Sequence, residues 1–196
     1  MGKSTEGMIA EFGRQVEDVA GPAVSERVMA GSKGISTHTS AEQTSLWVRD
    51  AIDRLDGLVA DQTAVKIMET CGANCARVNS GVIERAKKRR SKHASEDAFL
   101  AAEMLNPQAG TRLERDGPVL YQTYTPQAFT RPMRCYCALL RGLPENETVS
   151  QTYCHCSKAF VKTFWEQALG RPVRVELLES AVSGSNVCKF KITPDY

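Results

Sequence analysis

Apolar residues recur at three- and four-residue intervals through the first half of the chain, whereas the last third alternates them with polar ones. Ile9, Phe12, Val16 and Val19 share one helical face, so residues 4–31 read as helix. Gly21-Pro22 should interrupt it, with Pro22 opening a second short helix through Val24 and Val28. Gly31 to Thr39 is rich in Gly, Ser and Thr and reads as a loop. Ser40 is placed as an N-cap for a helix whose core stripe is Leu46, Trp47, Ile52, Leu55 and Leu58. Asp61 is read as the cap of the next helix, with Val65, Ile67 and Met68 leading to Cys71-Gly72-Ala73-Asn74-Cys75 at its end. A further helix carries Val78, Val82 and Ile83 into Lys87-Lys88-Arg89-Arg90-Ser91-Lys92-His93, and Ser95 starts a short helix ending near Leu105.

Beyond residue 110 the pattern changes. Asp116-Gly117-Pro118 is a turn and Val119 to Thr125 a strand, while 129–141 should hold another extended piece containing Cys135-Tyr136-Cys137. Phe160, Val161, Phe164, Trp165, Ala168 and Leu169 form a helical stripe over Ser157 to Leu169. Gly170 stands where a C′ glycine belongs. Val173, Val175 and Leu177 alternate as a strand, as do Cys188, Phe190 and Ile192, around a Ser183-Gly184-Ser185-Asn186 turn. The expectation is an α+β fold: a mainly helical region 1–110, and a cysteine-rich α+β region 111–196 with a C-terminal helix and hairpin, in one compact unit.

Composition narrows the functional classes. The 196 residues are 42% hydrophobic and 24% charged, enough to bury a core, and a net charge of +2 points away from nucleic acid. No apolar run approaches the roughly 20 residues a bilayer requires, and no signal-peptide pattern opens the chain, so a cytoplasmic protein without membrane partners is expected. The basic run at 87–93 reads as a solvated helix face, and His38 as a surface residue in a polar loop. The apolar stripes of the helical half leave room for a homodimer.

The cysteines change this picture most. There are seven, at 71, 75, 135, 137, 154, 156 and 188, an odd number without an export signal, which argues against a disulfide framework. Cys71 and Cys75, at i and i+4, present two sulfurs on one helix face. Cys135-x-Cys137 and Cys154-x-Cys156 repeat one spacing, and each pair could turn both sulfurs onto one ion. Four thiolates suit tetrahedral zinc or an iron–sulfur cluster; either claw could be replaced by Cys71 and Cys75. Cys188, alternating with Phe190 and Ile192, reads as a buried apolar residue. His155, between two cysteines, points away in an extended segment and becomes a ligand in a turning one.

The sequence from Tyr153 to Ile192 sets a cysteine-bearing helix start before Gly170, Val175-Glu176, Ser183-Gly184 and Cys188-Lys189-Phe190-Lys191-Ile192. This order resembles the C-terminal pattern of the 4-vinyl reductase small-molecule-binding superfamily. It is also similar to the methanogen output domain and to L-2-amino-thiazoline-4-carboxylic acid hydrolase-like proteins. The whole chain, with Cys71/Cys75 and its two Cys-x-Cys pairs, resembles a cysteine-rich bacterial and archaeal family near these. The resemblance implies helices against an antiparallel sheet, and a ligand pocket or a metal-associated sensor role. It matches Cys188 to a cysteine near the end of the hydrolase pattern. The extra Cys-x-Cys pairs depart from that pattern, so the hydrolase activity is not carried over.

Two functions follow. In the first, a thiolate-bound zinc steadies a small-molecule or sensory pocket, with Phe160, Phe164, Trp165 and Tyr121 as its apolar lining or as plain core. In the second, the protein is a thiol-dependent hydrolase with Cys156, at a helix start, as nucleophile, or an iron–sulfur or redox protein.

Overall fold

The structure is a computed structural model, described over residues 4–125 and 133–195. Seven helices and a four-stranded antiparallel sheet make the α+β fold that the residue pattern predicts. Helix α1, Thr5–Ala20, begins where the Ser4 hydroxyl accepts the Gly7 amide at 3.2 Å, and ends at Gly21, whose φ of 88° suits glycine. Pro22 then opens α2, Pro22–Val28. The expected caps at Ser40 and Ser95 both form, starting α3, Ala41–Leu58, and α6, Glu96–Leu105.

Helix α4, Asp61–Val78, departs from expectation twice. Ala60, not Asp61, is its N-cap, and Asp61 acts as first-turn charge at the positive helix end. The helix also continues through Gly72 instead of ending near Cys71. A Cβ on Gly72 would stand 2.0 Å from the Cys156 carbonyl oxygen, so glycine is required by close helix contact, not by a helix stop. Helix α5, Ser80–Arg90, ends in the basic run, with Lys87 and Lys88 exposed and Arg89 half-buried against Glu103 at 2.6 Å.

Strands β1, Thr111–Asp116, and β2, Val119–Tyr124, form a hairpin through Gly117-Pro118. After the connector 133–150 and one 3-10 turn, Gln151–Cys154, helix α7 runs His155–Leu169 and stops at left-handed Gly170. Strands β3, Val173–Glu179, and β4, Cys188–Pro194, complete the order β1-β2-β4-β3. Residues 133–141 form bends and turns in place of the extended piece expected there; the first part of that expectation, 129–132, lies outside the described residues.

Two hydrophobic cores result. The sheet core packs Leu120, Phe190 and Ile192 against α7 and Phe99, and the buried Trp165 indole donates to Gln122 Oε1 at 2.7 Å. The helical core joins Ile9, Val16, Ile52, Leu55 and Ile67 to Leu139, Leu140 and Tyr153 from the connector and the turn before α7. Among the described residues, no helix is long and apolar enough to cross a membrane.

Candidate functional site: a thiol-walled cavity

The helical core is hollow. Its cavity of about 90 Å³ lies between α1, α3 and α4 and is closed from the far side by the connector and the start of α7. Met8, Ile9 and Phe12 come from α1, and Trp47, Val48 and Ile52 from α3. Helix α4 adds Met68, Cys71, Cys75 and Val78, while Leu139 and Tyr153 face them. Cys137 and Cys156 bring two further thiols to the same wall.

Helix geometry explains this convergence. Cys71 and Cys75, one turn apart, share a face of α4 as their spacing requires. The Gly72 contact presses the backbone of Cys156 against that helix, so the first turn of α7 delivers a third sulfur beside them. The Tyr153 hydroxyl donates to Cys137 Sγ at 3.1 Å, tying the connector to the same place, and Asn79 Nδ2 donates to Cys75 Sγ at 3.5 Å.

The two sulfurs of each Cys-x-Cys pair therefore do not both face the cavity. Each splits, one sulfur to the cavity and one to packing. Cys135 Sγ accepts the Cys137 amide at 3.4 Å, and Cys154 Sγ meets Ser180 Oγ at 2.9 Å. Cys188, buried in the sheet core as expected, accepts the Ala181 amide at 3.4 Å. None of the seven forms a disulfide, and among the described residues no three cysteine, histidine or acidic side chains already stand close enough to hold a metal.

Burial disfavours ionisation at Cys156 and Tyr153 of this wall. Burial, reinforced by the thiols of Cys137, Cys71 and Cys75, pushes the Cys156 thiol well above its ordinary range. Burial also raises Cys135, lifts Cys154 to about 12, and holds the Tyr153 phenol protonated. An activated nucleophile needs the opposite displacement, so the environment of Cys156 does not favour a thiolate. His155 begins α7 away from the cavity, where burial and then Lys158 lower its pKa against the pull of Glu69.

The polar edge of the cavity went unread in the sequence. Glu11 lines it and accepts from Asn74 Nδ2, Gln15 Nε2 at 3.0 Å and Arg14 at 2.7 Å. A buried asparagine within a cysteine-flanked helical stretch was the available signal for Asn74. The aromatic set expected to line a pocket lies elsewhere. Phe164 and Trp165 are buried in the sheet core with Phe160 against it. Tyr121, one residue off the inward face of Leu120 and Gln122, sits on the opposite face under the Lys189 ammonium at 5.5 Å. A broader cleft of about 1030 Å³ beside α4, α7 and β3 is lined by charges that pair with one another, such as Lys158–Glu69 at 2.8 Å and Lys191–Glu176 at 3.1 Å.

Residues 8–196 match the Family of unknown function (DUF6144), and the chain belongs to that family. No curated protein matches it. Its fold is shared with a solved structure, the Fe(II) unliganded H-NOX protein mutant from K. algicida. The two are 13% identical with a TM-score of 0.54, over 99% of this chain and 97% of that chain. An H-NOX protein from S. oneidensis in the Fe(II)NO ligation state aligns at 7% identity and a TM-score of 0.47, over 99% and 100%. A mutant of the S. oneidensis protein in the Fe(II) state gives 7% and 0.44, over 99% and 97%. The donors facing the cavity here are the sulfurs of Cys71, Cys75, Cys137, Cys156, Met8 and Met68, the Tyr153 phenol, and the polar edge at Glu11, Asn74 and Asn79.

Proposed function

We propose that this member of the family is a sensory module that takes a ligand of very few atoms into the thiol-walled cavity of its helical core. The observation that carries the reading is the cavity itself: about 90 Å³, bounded mainly by apolar side chains, with Cys71, Cys75, Cys137 and Cys156 in its wall. Pockets for metabolite- or drug-sized ligands hold roughly 300–1,000 Å³, so this void suits an ion or a molecule of a few atoms. The fold lends support, because an H-NOX protein with the same architecture is described with Fe(II). Fold likeness alone does not establish function, and the weight rests on the cavity.

The wall spans five parts of the chain, so occupancy has a route outward. Any ligand touching Cys156 touches the first turn of α7, whose other face builds the sheet core. A module that must report binding needs such a link between site and scaffold.

Methionine methyl resonances test this reading. Met8 and Met68 line the cavity, whereas Met104 packs on the sheet core. Dissolved xenon, an apolar one-atom probe, should shift the first two saturably and leave Met104 in place. Val48→Trp, which places an indole in the void, should abolish the response. Shifts that survive Val48→Trp, or no saturable shift at Met8 and Met68, would contradict the proposal.

A further inference from the structure

We infer that the cavity's ligand is a single thiophilic d10 metal ion drawn in by Cys71, Cys75, Cys137 and Cys156: Zn(II) held by all four thiolates, or Cu(I) held by two or three of them. The inference rests on reading the cavity as a ligand site and adds the chemistry of the ligand. It also selects one sulfur from each Cys-x-Cys pair, a choice that spacing alone leaves open.

Three observations bear on it. Much of the donor set is soft: these four thiols line the cavity with the Met8 and Met68 thioethers, and thiolate with thioether favours such ions over hard cations. Two of the sulfurs already receive hydrogen bonds, Cys137 from Tyr153 and Cys75 from Asn79, an arrangement that orients metal-bound thiolates and lowers their charge. The remaining sulfurs, Cys135, Cys154 and Cys188, do not line the cavity.

The four thiols ring a void instead of meeting at bonding distance. Cys71 and Cys75 are fixed on the long helix α4, so closure falls to Cys137 on the connector and Cys156 in the first turn of α7. A site that assembles only around its ion couples binding to movement, as a sensor requires. One ion also fits the void better than a multi-atom iron–sulfur cluster.

The balance is simple. Each cysteine that binds gives its proton to solvent and its sulfur lone pair to the ion, with no change of oxidation state. Zn(II) with four thiolates releases four protons and leaves the site near −2, whereas Cu(I) with two leaves it near −1. An apolar wall with few polar contacts favours the smaller residual charge.

The test uses the full chain, reduced and without oxygen. Zn(II) and Cu(I) are each titrated in competition with a chromophoric chelator, while thiolate-to-metal absorption is followed in the ultraviolet. One equivalent of either ion should bind. Cys75→Ala and Cys156→Ala should each weaken it roughly tenfold or more, whereas Cys188→Ala should not. If Cys156→Ala fails to fold, Cys75→Ala and Cys137→Ala decide. Loss in all four single variants identifies zinc; loss in two or three identifies copper. Binding that ignores these variants, or that is lost only in Cys135→Ala or Cys154→Ala, would overturn the inference. So would absence of binding by a protein that still takes xenon at Met8 and Met68, and that result would leave the small-ligand reading standing. Failure of xenon as well would remove both.

Discussion

The two cores of this protein are built to different standards. The sheet core interlocks Phe99, Trp165, Leu120, Phe190 and Ile192, and its buried polar contact between Trp165 and Gln122 is satisfied at 2.7 Å. The helical core is comparably buried at Val16, Ile52, Leu55 and Ile67 and yet surrounds about 90 Å³ of free space. Side chains lining such free space lack packing partners on that side, contacts that a filled core keeps. The hollow also coincides with the thiols. One core holds the fold together, and the other keeps room at a cost in stability, which is how binding sites differ from scaffolds.

The largest expected effect lies on the scaffold side. Phe190→Ala, at a fully buried position, should cost about 3–5 kcal/mol and lower the melting temperature by roughly 10 °C. Urea denaturation measures it; a loss under 1 kcal/mol would erase the contrast between the cores. Next comes Gly72→Ala, whose methyl meets the Cys156 carbonyl at 2.0 Å. It should destabilise by about 1–3 kcal/mol and push α7 away from Cys71 and Cys75. A neutral outcome would mean that the helices do not touch there.

Filling the cavity should have the opposite sign. Val48→Leu adds one methylene toward free space and should stabilise by about 0.5–1 kcal/mol while reducing xenon uptake. The same kind of enlargement in the packed sheet core, at Val175, should destabilise. The smallest effect is alkaline. Burial raises the Cys188 thiol above its ordinary 9.0 and the Tyr124 phenol above its ordinary 10.0. Both groups bind their protons more tightly folded than unfolded. The stability they contribute is therefore complete below pH 9 and lost as pH rises through their folded values. Urea midpoints measured across pH 8 to about 11 should fall steadily, and Cys188→Ala should flatten part of the slope.

Much of the fold was legible because it is local. The serine caps at 40 and 95, the Gly21-Pro22 break and the Gly170 stop depend on neighbours in sequence, and all formed as read. The continuation of α4 through Gly72 was not legible because the group that requires glycine there, the Cys156 carbonyl, is remote in the chain. Strand β1 escaped notice because it is an edge strand with only Leu113 buried, so no alternation marks it. The cysteines announced themselves as a cluster, but which sulfur of each Cys-x-Cys pair faces the cavity depends on the turns of the connector and on the Gln151–Cys154 turn. Met8, Trp47 and Tyr153 meet at the site only through tertiary packing, and no spacing rule unites them.

The division of the seven thiols is the central claim, and their labelling kinetics test it most directly. A small uncharged thiol reagent is applied to reduced native protein across a series of low urea concentrations, with each site read by peptide mass spectrometry. Cys71, Cys75, Cys137 and Cys156 should label at rates that urea hardly changes, because the reagent enters the cavity of the folded protein. Cys135, Cys154 and Cys188 should label only through unfolding, at rates that climb steeply with urea. One common rate for all seven, or a fast set that contains Cys135 or Cys154 and omits Cys156, would contradict the account.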